Sequence, residues 1–226
     1  MDCKAIFFDF DGVLADTEEL HFDLFREIVR IEGYDLDRGD YYQTYIGYDD
    51  QEFFVHFYKN VGKNITQDQI EKWIHEKDKR FLNAISSRDI LFPGVKEMIS
   101  KLAKRFPLVI VSGALRNEIE TICSNAGILD SFQFIICPGD YSQGKPHPEP
   151  YMKALKKLNQ VKSSSIKPHE CIVVEDTPYG LKAGKKAGMQ TIGVIGSCQA
   201  DELKMADQVI DSIEKLPLAT FHSNLR

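Results

Sequence analysis

The chain has 226 residues, 43% of them hydrophobic and 27% charged, which suits one large water-soluble domain or a core with an insertion. Its 28 Lys and Arg against 34 Asp and Glu give a net charge of −6, arguing against a nucleic-acid partner, which would want a basic face. No apolar run is long enough to span a bilayer, and no basic-then-apolar leader pattern opens the chain.

Residues Ala5-Ile-Phe-Phe8 are four apolar residues bounded by polar ones, the pattern of a strand buried on both faces. Asp9 and Asp11 close it. In extended chain, residues two apart point the same way, so the two carboxylates are expected to project together at the strand's carboxyl edge. Gly12 then permits a tight turn. Two like charges so close need a cation or a shared proton. The pair therefore reads as a hard-metal site with a nucleophile and an acid; the alternative is a strand end with two solvated acids.

The period then becomes helical. Leu20, Leu24, Ile28 and Ile31 lie at helical spacing, Thr17 is the expected N-cap, and Glu18 and Glu19 occupy the dipole-favoured first turn. A Tyr- and Asp-rich loop is expected through Gly47, then a helix over Asp50 to Asn60. Thr66 and Gln69 have capping-box spacing, and the helix behind them carries Ile70, Trp73, Ile74, Lys77 and Phe81 on one face. Residues 17–89 thus read as all-helical.

Beyond them strands and helices alternate. Pro93-Gly94 opens a short helix with Val95, Met98, Ile99 and Leu102; Leu108 to Ser112 is a strand; Ile119 and Ile122 mark a helix ended by Gly127. Phe134 to Cys137 is the next strand, followed by a helix with Tyr151, Leu155 and Leu158. Cys171 to Val174 is a strand, Pro178 to Lys186 a helix, Thr191 to Ile195 a strand and Gln208 to Ile210 a short edge strand. Such alternation implies right-handed crossovers and a parallel sheet. The expected architecture is an α/β doubly wound core, residues 1–16 and 90–226, with an all-helical cap inserted at 17–89. The five cysteines, 3, 123, 137, 171 and 198, are odd in number and widely spaced, which gives no disulfide frame and no zinc pattern. Buried free thiols in a cytoplasmic setting are expected.

Ligands of open α/β sheets bind beyond the carboxyl ends of the strands. The polar residues there are Asp9 and Asp11, Ser112 with Gly113, Lys145 in the Pro-rich loop 144–150, and Glu175 with Asp176. Thr177-Pro178 aims a helix N-terminus at the same edge. Taken singly, each has a structural reading: a turn, a surface lysine, an acidic first turn. Together they suit one hard cation and a phosphate.

Asp9-Phe-Asp11-Gly-Val-Leu-Ala-Asp-Thr17, Ser112-Gly113, Lys145-Pro146 and Glu175-Asp176-Thr177 resemble the four motifs of the haloacid dehalogenase superfamily of phosphohydrolases, and the helical insertion resembles its type 1 cap. Thr17-Glu-Glu-Leu-His21 resembles the beta-phosphoglucomutase and phosphoglycolate phosphatase branch. The resemblance implies that Asp9 attacks phosphorus to form an aspartyl-phosphate. Asp11 would protonate the leaving oxygen and later deprotonate water. It implies Mg2+ held by Asp9, the backbone carbonyl of Asp11, and Asp176, with Glu175 nearby or through water. Ser112, the Gly113 amide and Lys145 would hold the phosphoryl oxygens. Thr17, His21, Gly47 and Arg116 are the further substrate-binding candidates. His21 matches a histidine near the active site in that branch, or is a surface residue of the first cap helix. Arg116 reaches a substrate's far end or faces water.

Mutases of the beta-phosphoglucomutase type present basic residues around the cap glycine to grip a second phosphate. Aligned on Gly47, this chain has Ile46 before it and Tyr48-Asp-Asp50 after it. The expected function is a Mg2+-dependent phosphatase acting on a small phosphomonoester of the sugar or polyol phosphate class, as a monomer. The alternatives are a sugar phosphate mutase and a catalytically silent metal-binding regulator.

Overall fold

The computed structural model describes residues 3–86, 88 and 90–217. Six parallel strands form one sheet in the order β3-β2-β1-β4-β5-β6. They are β1 (Ala5–Phe8), β2 (Leu108–Val111), β3 (Phe132–Ile136), β4 (Cys171–Glu175), β5 (Gln190–Val194) and β6 (Gln208–Ile210). β1 lies between β2 and β4, so the chain winds outward in both directions from it. That reversal of strand order is where doubly wound sheets open a crevice.

The unbroken apolar strands are explained by burial on both faces. Ile6 and Phe8 join Ile110 and Val174 in one cluster, beneath α5 (Val95–Ala103) and α6 (Arg116–Ala126). Ala5 and Phe7 join Val109 and Val173 in the other, beneath α7 (Glu149–Val161) and α8 (Pro178–Lys186). Each buried Val, Ile or Phe side chain there contributes about 1.5–3 kcal/mol over exposure.

Between β1 and β2 every element from Glu18 to Ile85 is helical: α1 (Glu18–Ile31), α2 (Arg38–Asp40) running into a π-helical turn (Tyr41–Tyr45), α3 (Asp50–Asn60) and α4 (Gln67–Ile85). Expected capping appears at α4, where Thr66 and Gln69 form a reciprocal box. The insertion has its own aromatic cluster, with Phe25 stacked on Phe53 at 3.8 Å and Tyr58 on Trp73 at 4.5 Å. Backbone pairing joins its two ends: Asp16 N donates to Ile90 O at 2.8 Å, and Ala15 bridges Leu91.

Four expectations are corrected. Tyr41–Tyr45 is a helical turn rather than loop, because Tyr41 and Tyr45 bury in the insertion's aromatic cluster. Ile31 is 67% exposed, since the buried stripe of α1 runs through His21, Phe22, Leu24, Phe25, Ile28 and Val29. Thr17 occupies the N-cap position, but its hydroxyl makes no cap bond and donates to Asp11 instead. β1 ends at Phe8, so strand alternation does not orient Asp9 and Asp11. All five cysteines are buried and free. No helix among the described residues is long and apolar enough to cross a membrane.

Candidate active site

The loop after β1 is fixed at both ends. Asp9 N donates to Val174 O at 2.9 Å, extending the ladder one residue, and Gly12 N donates to Ala15 O at 2.9 Å, closing a tight turn. Gly12 has φ +72°, and a Cβ there would fall 1.8 Å from Asp176 Oδ2, so only glycine fits between the two loops.

Lys145 reaches in from the loop before α7. Its ammonium lies 2.9 Å from Asp9 Oδ1 and 2.6 Å from Glu175 Oε1, and donates to Val111 O at 2.9 Å. Glu175 is fully buried at the end of β4. It accepts from Tyr151 Oη at 3.1 Å, Asp176 N at 3.1 Å and Thr177 Oγ1 at 3.1 Å. These bonds seat it over the N-terminus of α8, where a negative charge is favoured. Ser112 is buried just beyond β2, its hydroxyl accepting from Ala114 N at 3.1 Å.

Carboxylate oxygens of Asp9, Glu175 and Asp176 all lie within 4.8 Å of one another. Burial first, then Glu175, push the Asp9 carboxyl up to about 7, against the pull of Lys145. Burial, Glu175 and Asp9 push Asp176 well above the ordinary carboxylate range. Asp176 Oδ1 is buried without a hydrogen-bond partner among the described residues. Three crowded, desolvated carboxylates with an orphaned oxygen fit a hard divalent cation, and oxygen-only donors suit Mg2+.

Asp11 faces a different set of groups. Burial would raise its carboxyl, but the His21 bond, the Thr17 hydroxyl and the Lys77 charge together hold it below its ordinary value. His21 Nε2 is 3.5 Å from Asp11 Oδ1, and the ring stacks on Phe81 at 4.7 Å. Behind them Lys77 of α4 is fully buried, 2.8 Å from Asp50 Oδ1 and 3.5 Å from Glu118 Oε1 of α6. An unpaired ammonium there would cost several kcal/mol, which the flanking carboxylates offset. The insertion is thereby tied to the sheet layer, and Asn117 Nδ2 adds a 2.7 Å bond to Asp78 beside it.

A cavity of about 50 Å3 lies between the two layers, lined by Asp9, Asp11, Ser112, Gly113, Lys145 and Asp176 from the sheet edge. The insertion closes it with Glu18, His21, Phe25, Tyr41, Gly47, Tyr48 and Asp50. The described geometry thus brings together every sequence candidate except Arg116, which is held away by Asp140 at 2.6 Å and Ile135 O at 3.3 Å. Thr17 reaches the site through Asp11. Sequence reasoning missed Lys77, Glu118, Tyr151 and the wall role of Glu18. Lys77 carried a signal, a lysine in an otherwise apolar helical stripe; Glu118 and Tyr151 carried none.

A sequence profile described as haloacid dehalogenase-like hydrolase matches residues 6–194. The chain belongs to that family. It is similar to beta-phosphoglucomutase of Bacillus subtilis (strain 168), 27% identical, covering 97% of this chain and 94% of that one. It is similar to a phosphorylated carbohydrates phosphatase of Thermotoga maritima, 28% identical, covering 86% of each chain. The crystal structure of CbbY from Rhodobacter sphaeroides in complex with phosphate superposes with TM-score 0.83 at 28% identity, covering 95% of this chain and 96% of that one.

Proposed function

We propose that the chain is a Mg2+-dependent phosphatase of a small phosphorylated metabolite, of the sugar or polyol phosphate class. One observation carries this: Asp9, Asp11, Ser112, Lys145 and Asp176, from four separate strand ends, line one cavity closed by the helical insertion, which serves as a cap. Its phosphatase and mutase relatives make the class of substrate a natural one.

Asp9 attacks phosphorus in line and carries the phosphoryl group as an aspartyl-phosphate, splitting one hard displacement into two. Asp11 gives its proton to the departing alkoxide. The incoming phosphate dianion, a like charge beside it, favours the protonated carboxyl that this step requires. Asp11 then takes a proton from the water that attacks the aspartyl-phosphate. Lys145, the Ser112 hydroxyl and the Gly113 amide hold the phosphoryl oxygens. Asp9, Asp176 and the Asp11 carbonyl would hold Mg2+, with Glu175 nearby; the ion would neutralise the charge gathered on the phosphoryl oxygens and keep Asp9 ionised. The cavity of about 50 Å3 holds a few waters and no hexose, so the cap opens to admit substrate and closes to exclude bulk water.

A mutase must grip a second phosphate, and charge-assisted donors are the means. Among the described residues that line the cavity from the cap there is no lysine or arginine, and the buried Lys77 behind Asp50 is committed to Asp50 and Glu118. Hydrolysis is therefore expected: β-glucose 1-phosphate, if accepted, yields free phosphate and glucose. Assaying both products in one reaction tests this, and dominant conversion to glucose 6-phosphate would establish the mutase instead.

A further inference from the structure

The two walls of the cavity differ in charge. The sheet edge offers Lys145 and the Ser112 hydroxyl, while the cap offers Glu18, Tyr41, Tyr48 and Asp50. The cations near the cap wall are already engaged. His21 faces Asp11 at 3.5 Å, and Lys77 lies between Asp50 at 2.8 Å and Glu118 at 3.5 Å. That is two carboxylates to one ammonium. Glu18 is different: its recorded hydrogen bond comes from the Tyr41 hydroxyl, at 2.6 Å, and it forms no ion pair among the described residues. Tyr41 is itself fixed, buried 3% exposed against Phe22 and Phe25 on the π-helical turn. One Glu18 oxygen is taken by that hydroxyl, and the other keeps its capacity to accept.

We infer that Glu18, held by Tyr41, reads the end of the substrate remote from the phosphate, selecting an uncharged hydroxyl there and rejecting a carboxylate or a second phosphate. The inference rests on the phosphatase reading and adds the identity of the substrate's other end. A substrate hydroxyl donates to the free Glu18 oxygen and leaves no buried charge unmatched. A carboxylate or phosphate in the same place meets Glu18 and Asp50, with no unpaired lysine or arginine among the described cap residues that line the cavity, in a space where water screens little. Glu18 is thus a specificity-determining residue, and its effect is read in which substrate tail binds rather than in the chemical step.

Glucitol 6-phosphate and 6-phosphogluconate make a matched pair. They share a six-carbon chain and a phosphate on the same carbon, and differ in a hydroxymethyl group against a carboxylate at the far end. Each is measured as a competitive inhibitor of Mg2+-supported p-nitrophenyl phosphate hydrolysis, which gives a value whether or not it is turned over. The wild-type chain is expected to bind glucitol 6-phosphate roughly a hundredfold more tightly. Glu18→Gln keeps an acceptor for Tyr41 and removes the charge, so the preference should fall to within roughly tenfold. Tyr41→Phe frees Glu18 from its fixed pose and should narrow the same ratio by weakening the polyol; it decides the matter if Glu18→Gln does not fold. A wild-type ratio near one, a stronger affinity for 6-phosphogluconate, no inhibition by the polyol phosphate, or an unchanged ratio in the variant would each overturn the inference. Wild-type protein that fails to hydrolyse p-nitrophenyl phosphate would instead overturn the phosphatase reading beneath it.

Discussion

Asp9 and Asp11 stand two residues apart, yet their surroundings move their protons in opposite directions. Burial first, then the Glu175 charge, push Asp9 up to about 7, while the His21 bond, the Thr17 hydroxyl and the Lys77 charge hold Asp11 low. The proposed roles need both directions reversed in the loaded site, where Mg2+ would hold Asp9 ionised and the phosphate dianion would favour a protonated Asp11. Asp9→Asn keeps the shape and removes the nucleophile, and turnover should fall by roughly three orders of magnitude or more. Phosphatase activity near the wild-type level would remove Asp9 from that role. Asp11→Asn should slow an alkyl phosphate far more than p-nitrophenyl phosphate, whose leaving group needs no proton. Equal losses on both substrates would contradict a general acid at Asp11. The sequence displayed this pair because a carboxylate cluster at the end of an apolar strand is chemically costly and easily seen. It concealed the partners that separate the two: Lys77 and Glu118 lie on different helices and meet only in the fold.

At the scale of elements, α3 shows how a local signal becomes part of the domain seam. Asp49 and Glu52 cap it reciprocally, with Glu52 N donating to Asp49 Oδ1 at 2.8 Å and Asp49 N to Glu52 Oε2 at 3.2 Å. The same Glu52 lies so near the sheet-side loop that a Cβ on Gly144 would come 3.1 Å from Oε1. Burial and the Asp49 charge raise the Glu52 carboxyl from 4.5 to about 7. Between those values the folded chain holds a proton that the unfolded chain has released. Stability from this group is therefore full below about pH 4.5 and is lost as pH rises through about 7. Glu52→Gln keeps an acceptor for the Asp49 amide and removes the slope. Its melting temperature relative to wild type should climb between pH 4.5 and pH 8; parallel curves would show that Glu52 holds no such proton. The bounds of α3 and α8 were legible in the sequence, those of α8 from the Thr177-Pro178 cap. The π-helical turn was not, because all five of its residues are polar or amphipathic by name, and burial of Tyr41 and Tyr45 emerges only once α1 and α3 pack beside them.

For the whole molecule, the reaction groups hang on a sheet whose two faces are closed by separate apolar clusters. The carboxylates of Asp9, Glu175 and Asp176, proposed to hold the ion, lie outside both clusters. Chelation with EDTA should therefore abolish turnover and leave a cooperative melting transition in place. Mg2+ should restore activity and Ca2+ should not, since Ca2+ demands longer bonds and more ligands. Full activity in excess chelator, or unfolding on chelation, would contradict that arrangement. The alternation of strands and helices made the core readable, and the change of period after Thr17 made the insertion readable. The distances between layers were not, since they depend on contacts between residues far apart in the chain, such as Asn117 and Asp78, 39 residues apart. The Asp16–Ile90 hydrogen bond and the Ala15–Leu91 bridge bring the two ends of the insertion to one ladder spacing. Closing so narrow a gap costs the chain little, whatever length of polypeptide loops out between. In the proposed reading recognition and reaction thus sit on separable lengths of chain, and a change in the length of the looped-out cassette leaves the register of every strand as it is.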